Sequence, residues 1–500
     1  MNIISVILLI LFSVVSSAVM TYISLATMIG PWMGPTLVLI ALVVSSLFRS
    51  LTPHTLLLPV LGGALGGIIA TAIGFSLPTL YFIDATDFMT YVDKPYLLIG
   101  LIFTLITAAA CLAFILVEYS KEDLLHNRKL PFPVGKLVYE VATSPDSSGS
   151  KQRLIQGICA MLAYAGINTL AKYMTRAKDF IYEGSISATS AYQIGICKVP
   201  AIRFDMGLLP MFVAIGFLAG HAMTVPLLFG AGLRILFVDT LRDVYFPHVA
   251  DSDFMFAFCS GIVAIGFVLY SLKMIIPAIK GLYRFSKVIQ QIYHSPRHRT
   301  LAGISIIVAL IFSWLIGFSW TAGAYVIIAT SLASYQLVVI AGEVGMSLLG
   351  RFATFVMMPG LYLFSFSPLQ ATVVATFVEL CGGIATELCF GWKTAELANL
   401  DKRDVRKYQL AGVLIAAITV AAVFWLLVTQ FQLGSDQLFA QRAQSRALLI
   451  QAGTFNVKVV MLGALCGLFL HIFQVNSMLI LGGLLMSLSM IIPLVIGGVL

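Results

Sequence analysis

The chain has 500 residues, 60% of them hydrophobic and only 10% charged, where soluble domains carry roughly a quarter charged. Its 30 Lys and Arg against 22 Asp and Glu give a formal net charge of +8, yet the basic residues gather in short segments between apolar runs. That pattern excludes a soluble enzyme, a nucleic-acid-binding protein and a secreted disulfide scaffold, and it leaves lipid as the solvent for most of the chain.

The first apolar run, Met1 to Met28, has no Lys or Arg before it and is too long for the core of a signal peptide. It reads as the first transmembrane helix. Further runs lie near 32–48, 56–82, 96–119, 154–171, 206–219, 222–238, 254–279, 301–316, 319–341, 352–366, 368–390, 409–431, 457–474 and 477–500. At roughly twenty residues per crossing this makes about fifteen spans. None alternates apolar and polar residues as a barrel strand would. The expected fold class is all-α: a polytopic transmembrane helix bundle, one multi-pass membrane domain over 1–500.

Loop charges orient these spans. Segment 120–153 carries six Lys or Arg, and 280–300 and 391–408 carry five each, whereas 83–95 and 239–253 hold one each beside three and four Asp. Basic loops belong on the cytoplasmic side, which puts the N-terminus in the cytoplasm of a cell-membrane protein. Segment 172–205, with five basic residues, falls outside on this count. Either the rule fails there, or 180–199 is an extra span and 206–238 crosses once.

Several segments carry more than hydropathy. The short runs 206–219 and 222–238 meet around Gly220 and His221 and are broken by Pro210, Gly216, Pro226 and Gly230. Broken helices at membrane depth mark a transport path or a tightly packed hairpin. Gly62, Gly63, Gly66 and Gly67 form overlapping Gly-x3-Gly pairs suited to close helix packing. Gly135-Lys136 and, much later, Gly391-Trp392-Lys393 each precede charged residues and a span, which suggests a parallel duplication with halves about 1–279 and 280–500. The seven Cys show no metal or redox spacing and read as small core residues.

Three stretches resemble the oligopeptide transporter (OPT) superfamily, in its prokaryotic and yellow-stripe-like branch. Residues 62–80 are similar to its Gly/Ala-rich helix ending Phe-x-Leu-Pro-x-Leu, here Phe75, Leu77, Pro78 and Leu80. Residues 130–141 resemble its Leu-x-[Tyr/Phe]-Pro-x-Gly motif through Leu130, Phe132, Pro133 and Gly135. Residues 386–394 resemble its acidic-x5-Lys-Thr stretch through Glu387, Lys393 and Thr394, with Gln409 opening the next span. The chain departs from the family at 342–352, which lacks a Pro, and at Gly391 and Ala395. The resemblance implies secondary, proton-coupled uptake of short peptides or of metal chelates.

Ionisable residues inside spans are costly and therefore informative. Glu379 and Glu387 lie eight residues apart on one span, about 2.2 turns, so they sit within roughly 80° of each other on its surface. Buried carboxyls can carry a proton, as coupling requires; the plainer reading is a hydrogen-bonded Glu379 and a helix-end Glu387 in headgroup water. Glu343 and Arg351 flank a Gly-rich break, as an acid beside a base or as a loop salt bridge. His221 is either a titrating group at the broken hairpin or structural.

Metalloprotease, serine-hydrolase and nucleotide-binding signatures are missing from the sequence. No catalytic residues, cofactor or bound metal are expected. The reading is a secondary transporter whose partners are a short peptide, protons and the bilayer, without nucleic acid; a homo-oligomer is left open. The alternatives are a carrier of metal-chelate ligands and, in another class, a membrane-embedded enzyme acting on lipid-linked substrate.

Overall fold

In the computed structural model the described residues are 3–27, 32–47, 53–127, 130–143, 221–269, 316–345, 349–435, 437–452, 455–473, 477–486 and 488–499, with isolated positions and four short strands between 184 and 206. Eight helices among them are long and apolar enough to cross a bilayer: Ile4–Ala26, Leu56–Ile83, Pro95–Glu122, Thr224–Tyr245, Asp251–Leu269, Trp320–Glu343, Pro368–Leu397 and Lys402–Gln430. The protein is a polytopic helical transmembrane bundle, as its composition requires. Among the described residues, two antiparallel strand pairs also occur, Gly184–Ser187 with Arg203–Met206 and Tyr192–Ile194 with Cys197–Val199. They occupy the segment 180–199 that the charge count offered as an extra span, and its described residues form strands.

The chain divides into two compact units, 1–155 with 273–433 and 156–272 with 434–500. The first contains α1 (Ile3–Ala26), α2 (Met33–Leu47), α3 (Pro53–Ser76), α4 (Thr79–Ile83), α5 (Ala85–Val92), α6 (Pro95–Glu122) and α7 (Pro133–Thr143). The second contributes α8 (His221–Leu233), α9 (Asp239–Tyr245) and α10 (Asp251–Leu269). The chain then returns to the first unit with α11 (Trp320–Val344), α12 (Leu349–Phe364), α13 (Pro368–Leu397) and α14 (Lys402–Gln430). It ends in the second with α15 (Gln441–Ile450), α16 (Val457–Ile472), α17 (Ser477–Leu485) and α18 (Leu488–Val499).

Local chemistry sets the boundaries. Ser319 caps α11, Asp401 caps α14, and Ser367 forms a capping box with Gln370 ahead of Pro368 at the start of α13. Gly345, at φ +77°, ends α11 in the left-handed conformation that costs glycine least. Three sequence expectations change here. The basic segment 391–408 is mostly helix, because α13 runs to Leu397 and α14 begins at Lys402. Segment 120–153 holds a π turn, Asp123–Asn127, and α7. The run at 477–500 is two helices parted at Met486. Segment 280–300 and the runs 154–171, 206–219 and 301–316 lie outside the described residues but for isolated positions.

The first unit is built twice over. On α3, Gly63 lies against Phe12, Gly66 against Ser16 and Ser17, and Gly74 against Ser24, so α1 runs parallel to α3. Gly67 lies against Met33, while Val38, Ala41 and Leu42 share a small apolar cavity with Leu56, Leu57 and Val60, so α2 runs back antiparallel. The later helices repeat this arrangement: Gly382 lies against Leu337 of α11 and Gly383 against Leu349 of α12. A shift of 316 positions carries Gly66-Gly67-Ile68 onto Gly382-Gly383-Ile384 and Met33, the first residue of α2, onto Leu349, the first of α12. A shift of 307 carries the start of α6 onto that of α14.

The two copies are inverted. Gly383 lies against Ile68 and Gly391 against Leu61, so α3 and α13 cross antiparallel. Glu118 of α6 meets Arg406 of α14, and Trp425 Nε1 donates to Val92 O at 3.1 Å, so that pair is antiparallel too. The anticipated landmarks of a parallel duplication are something else. Gly135 lies directly against Phe390 O and Lys393; the two motifs touch each other.

In the second unit, Gly230 and Gly483 bring the α8 and α17 backbones together, and Gly261 and Gly463 do the same for α10 and α16. Arg234 Nη1 donates to Leu484 O at 3.2 Å.

Close approach at Gly66 is testable. A Cβ there would collide with the hydroxyls of Ser16 and Ser17 and the Ser13 carbonyl, whereas one on Gly100 meets nothing within 4 Å. Gly66→Leu is expected to destabilise by about 1–3 kcal/mol or more, the range for overpacking, and Gly100→Ala to leave stability close to wild type. Thermal unfolding of the two purified variants in detergent checks this.

Candidate functional site

Each inverted copy begins with a helix pair, α1 with α2 and α11 with α12, that packs on a companion helix, α3 or α13. Gly30, between α1 and α2, lies against Thr71 and Phe75, near the end of α3 at Ser76. The turn after α11 stands at the level of Phe390, while α13 continues to Leu397. Backbone at a helix end, where the last carbonyls lack intrahelical donors, must find its hydrogen bonds elsewhere.

It finds them between the two tips and the 130–136 motif. Trp32 Nε1 donates to Gly345 O at 2.9 Å. Phe132 N donates to Gly342 O, also at 2.9 Å. Phe132 is fully buried and holds a φ of +43°, unusual for a residue with a bulky side chain. Pro133 packs on Gly345, and Thr394 Oγ1 donates to Gly135 O at 2.8 Å. Phe390 joins the cluster edge-to-face with Trp32 at 4.8 Å and with Phe132 at 6.0 Å.

Motifs far apart in sequence therefore form one structure. Pro133, Gly135, Lys393, Thr394 and Glu387 all belong to it. Lys393 pairs with Glu396 at 3.1 Å, so its charge is met at the helix end. Nearby, Arg406 Nη2 donates to both carboxylate oxygens of Glu118 at 2.8–2.9 Å, and Lys121 lies 4.5 Å over the Trp392 ring.

Glu387 points inward, its residue only 6% exposed. Its Oε1 would lie 3.8 Å from a Cβ on Gly34, in the first turn of α2, beside Val138 of α7. Its Oε2 has no hydrogen-bond partner among the described residues. Glu379, fully buried, lies two turns back along α13 and is the inverted counterpart of Gly63 at the same shift of 316.

The other candidates fall elsewhere. Glu343 is exposed near the end of α11. Pro78 stands between α3 and α4, at the opposite end of α3 from the motif cluster. Gly62 faces Leu9 and the Tyr408 carbonyl; Gly63, Gly66 and Gly67 face α1 and α2. His221 opens α8 in the second unit, and its side chain lies outside the described residues. No cluster of His, Cys, Asp and Glu able to hold a metal occurs among the described residues.

Sequence reasoning passed over Trp32, whose signal was its place between Gly30-Pro31 and Gly34 at a break between apolar runs. It also passed over Gln441 and Arg446, buried at 1% and 5% exposure on α15. Their signal was a polar decapeptide among apolar spans.

The class is thus a polytopic helical membrane protein with inverted copies inside one unit. Residues 300–500, which include α11 to α18, match the family model described as OPT oligopeptide transporter protein. No curated protein matches the chain.

The Thr394 anchor can be measured. Thr394→Val removes the hydroxyl bond that ties α13 to Gly135 O of α7 and is expected to cost about 0.5–1.5 kcal/mol, the net worth of one hydrogen bond. Thr419 bonds only to Ile415 O of its own helix, so Thr419→Val is expected to cost less. Comparison of their unfolding temperatures distinguishes the two.

Proposed function

We propose that the protein is a secondary active transporter of the OPT type, in its prokaryotic and yellow-stripe-like branch, coupling proton entry to uptake of short peptides across the cell membrane with its N-terminus in the cytoplasm. The observation that carries this reading is the convergence of the family-like motifs on the two hairpin tips, in a unit whose copies are inverted. Inverted repeats supply the two related conformations that alternating access needs, and non-helical backbone at membrane depth marks the ligand path. The match of residues 300–500 to a transporter family supports the substrate class.

Proton coupling falls to the buried carboxyls. Glu379, fully buried on α13, is the first candidate, with Glu387 beside it on the same helix and Glu343 less suited because it is exposed. Protonation of one group changes the cost of burying it by several kcal/mol, enough to bias which state is populated.

Uptake of labelled dipeptides into proteoliposomes, with and without an inward proton gradient, tests the reading. The expected result is accumulation only with the gradient. Glu379→Gln is expected to abolish gradient-driven accumulation while peptide exchange across the membrane continues. Accumulation of metal chelates but not peptides would move the substrate assignment to chelate ligands, and full gradient coupling in Glu379→Gln would remove Glu379 from the mechanism.

A further inference from the structure

We infer that α6 and α14 form a rigid frame, tied at both ends and closed throughout the transport cycle, against which other helices of the first unit move. This rests on the transporter reading and adds which part of the unit stays still.

The two helices are related by the shift of 307 and pack antiparallel on one another. One tie is ionic. Arg406 Nη2, in the second turn of α14, donates to both carboxylate oxygens of Glu118, at 2.9 and 2.8 Å. Lys121 Nζ donates to Glu118 Oε2 at 3.0 Å and lies 4.5 Å over the Trp392 ring of α13. Bidentate geometry within a network is where a partly exposed ion pair contributes most, and this one joins three helices.

The other tie is neutral. Trp425 Nε1 donates to Val92 O at 3.1 Å. Val92 is the last residue of α5, whose final carbonyls lack donors within their own helix, and α6 begins three positions later.

The two ties are counterparts. The shift of 307 carries Glu118 onto Trp425, so the same position in each copy reaches across to the opening of the other helix. Arg406 and Trp425 lie 19 residues apart on α14, about 28 Å, close to the ~30 Å of a hydrocarbon core. Between them, the same shift carries Ala109-Ala110 onto Ala416-Ala417, all four buried. Such short side chains let backbones lie close.

Alternating access opens the two sides in turn. A contact that gates one side breaks when that side opens, and its inverted counterpart breaks when the other does. Here both counterparts are made in one conformation, with close packing between them. A conformation closed on both sides would also make both, and the experiment separates the two cases.

The test places spin labels at exposed positions outside the ties, in the full chain with its seven Cys replaced by Ala and reconstituted in liposomes. Glu122→Cys with Lys407→Cys reports the ionic end, and Lys94→Cys with Thr429→Cys the neutral end. Distances by pulsed electron resonance are read with and without trialanine, in acid and in neutral buffer. The expected result is a shift of less than about 2 Å in either pair, whereas a gate is expected to move by about 5 Å or more. A shift of that size, or a second distance population, at either end overturns the frame. Bridging both pairs with a bis-maleimide is expected to leave trialanine uptake largely intact; its loss on bridging overturns the frame as well. Glu118→Gln, made in the chain with its native Cys, keeps the idea testable where the Cys-free protein fails to fold. It is expected to unfold at a lower temperature and to keep the wild-type KM for uptake, and a KM changed about five-fold or more overturns the frame. Absence of uptake by the wild type removes the transporter reading, and the distances then still decide whether the pair is rigid.

Discussion

The last carbonyls of a helix have no intrahelical donor, and the first unit is organised around those at the end of α11. Two hairpins end beside their companion helices, and the Gly342 and Gly345 carbonyls of one tip need donors from elsewhere. Phe132 and Trp32 supply them. The rest of the motif region follows. Phe132 adopts a left-handed backbone, which costs energy for any residue but glycine, and that cost is offset by the bond to Gly342 and complete burial of the ring. Pro133 then closes on Gly345, and Gly135 comes near enough to α13 for Thr394 to donate to it. Replacing Trp32 removes the side-chain donor to Gly345 O, whereas the Phe132 donor is a backbone N–H that any substitution but proline keeps.

Much of this was legible in the sequence, and the residues show where legibility stopped. Apolar runs identify the long spans because bilayer thickness fixes their length. The glycines of α3 announce close packing because few other residues permit it. Charge counting, by contrast, treated 391–408 as a loop. It cannot tell a loop from the charged ends of two helices, and here α13 runs to Leu397 and α14 begins at Lys402. The candidate site was half visible: Glu387, Lys393, Thr394, Pro133 and Gly135 lie in family-like motifs, and Trp32 does not. A tryptophan near the end of an apolar run usually marks the membrane interface, so its bond to a carbonyl 313 positions away carried no local signal.

The repeat shows the same limit more sharply. Gly135-Lys136 and Gly391-Trp392-Lys393 look alike because both stand at the charged end of a span, and the chain uses them as the two faces of one contact. The copies that are truly related share little beyond Gly-Gly-Ile on α3 and α13. That triplet persists for a physical reason. Its second glycine seats the first residue of the returning helix, Met33 in one copy and Leu349 in the other, so a side chain there would push the hairpin away from its companion. Inversion hides the rest, since opposite ends of the two copies face opposite sides and different charge rules apply to them.

The copies share a topology without sharing their packing. In the first, α1 meets α3 through backbone and hydroxyls: Ser16 Oγ donates to Gly63 O at 2.6 Å and Ser24 Oγ to Ala70 O at 3.4 Å. In the second, α11 meets Gly382 of α13 through the Leu337 side chain. Glu379 stands at the position equivalent to Gly63 and Glu387 at the position equivalent to Thr71. A strictly symmetric pair would place the same groups on both sides of the crossing and give neither conformation a reason to respond to a bound charge. Here both carboxyls lie on α13, in one copy and not in the other. A ligand shifts a two-state equilibrium only through a difference between the states, and the residues that break the two-fold relation are where the two copies differ.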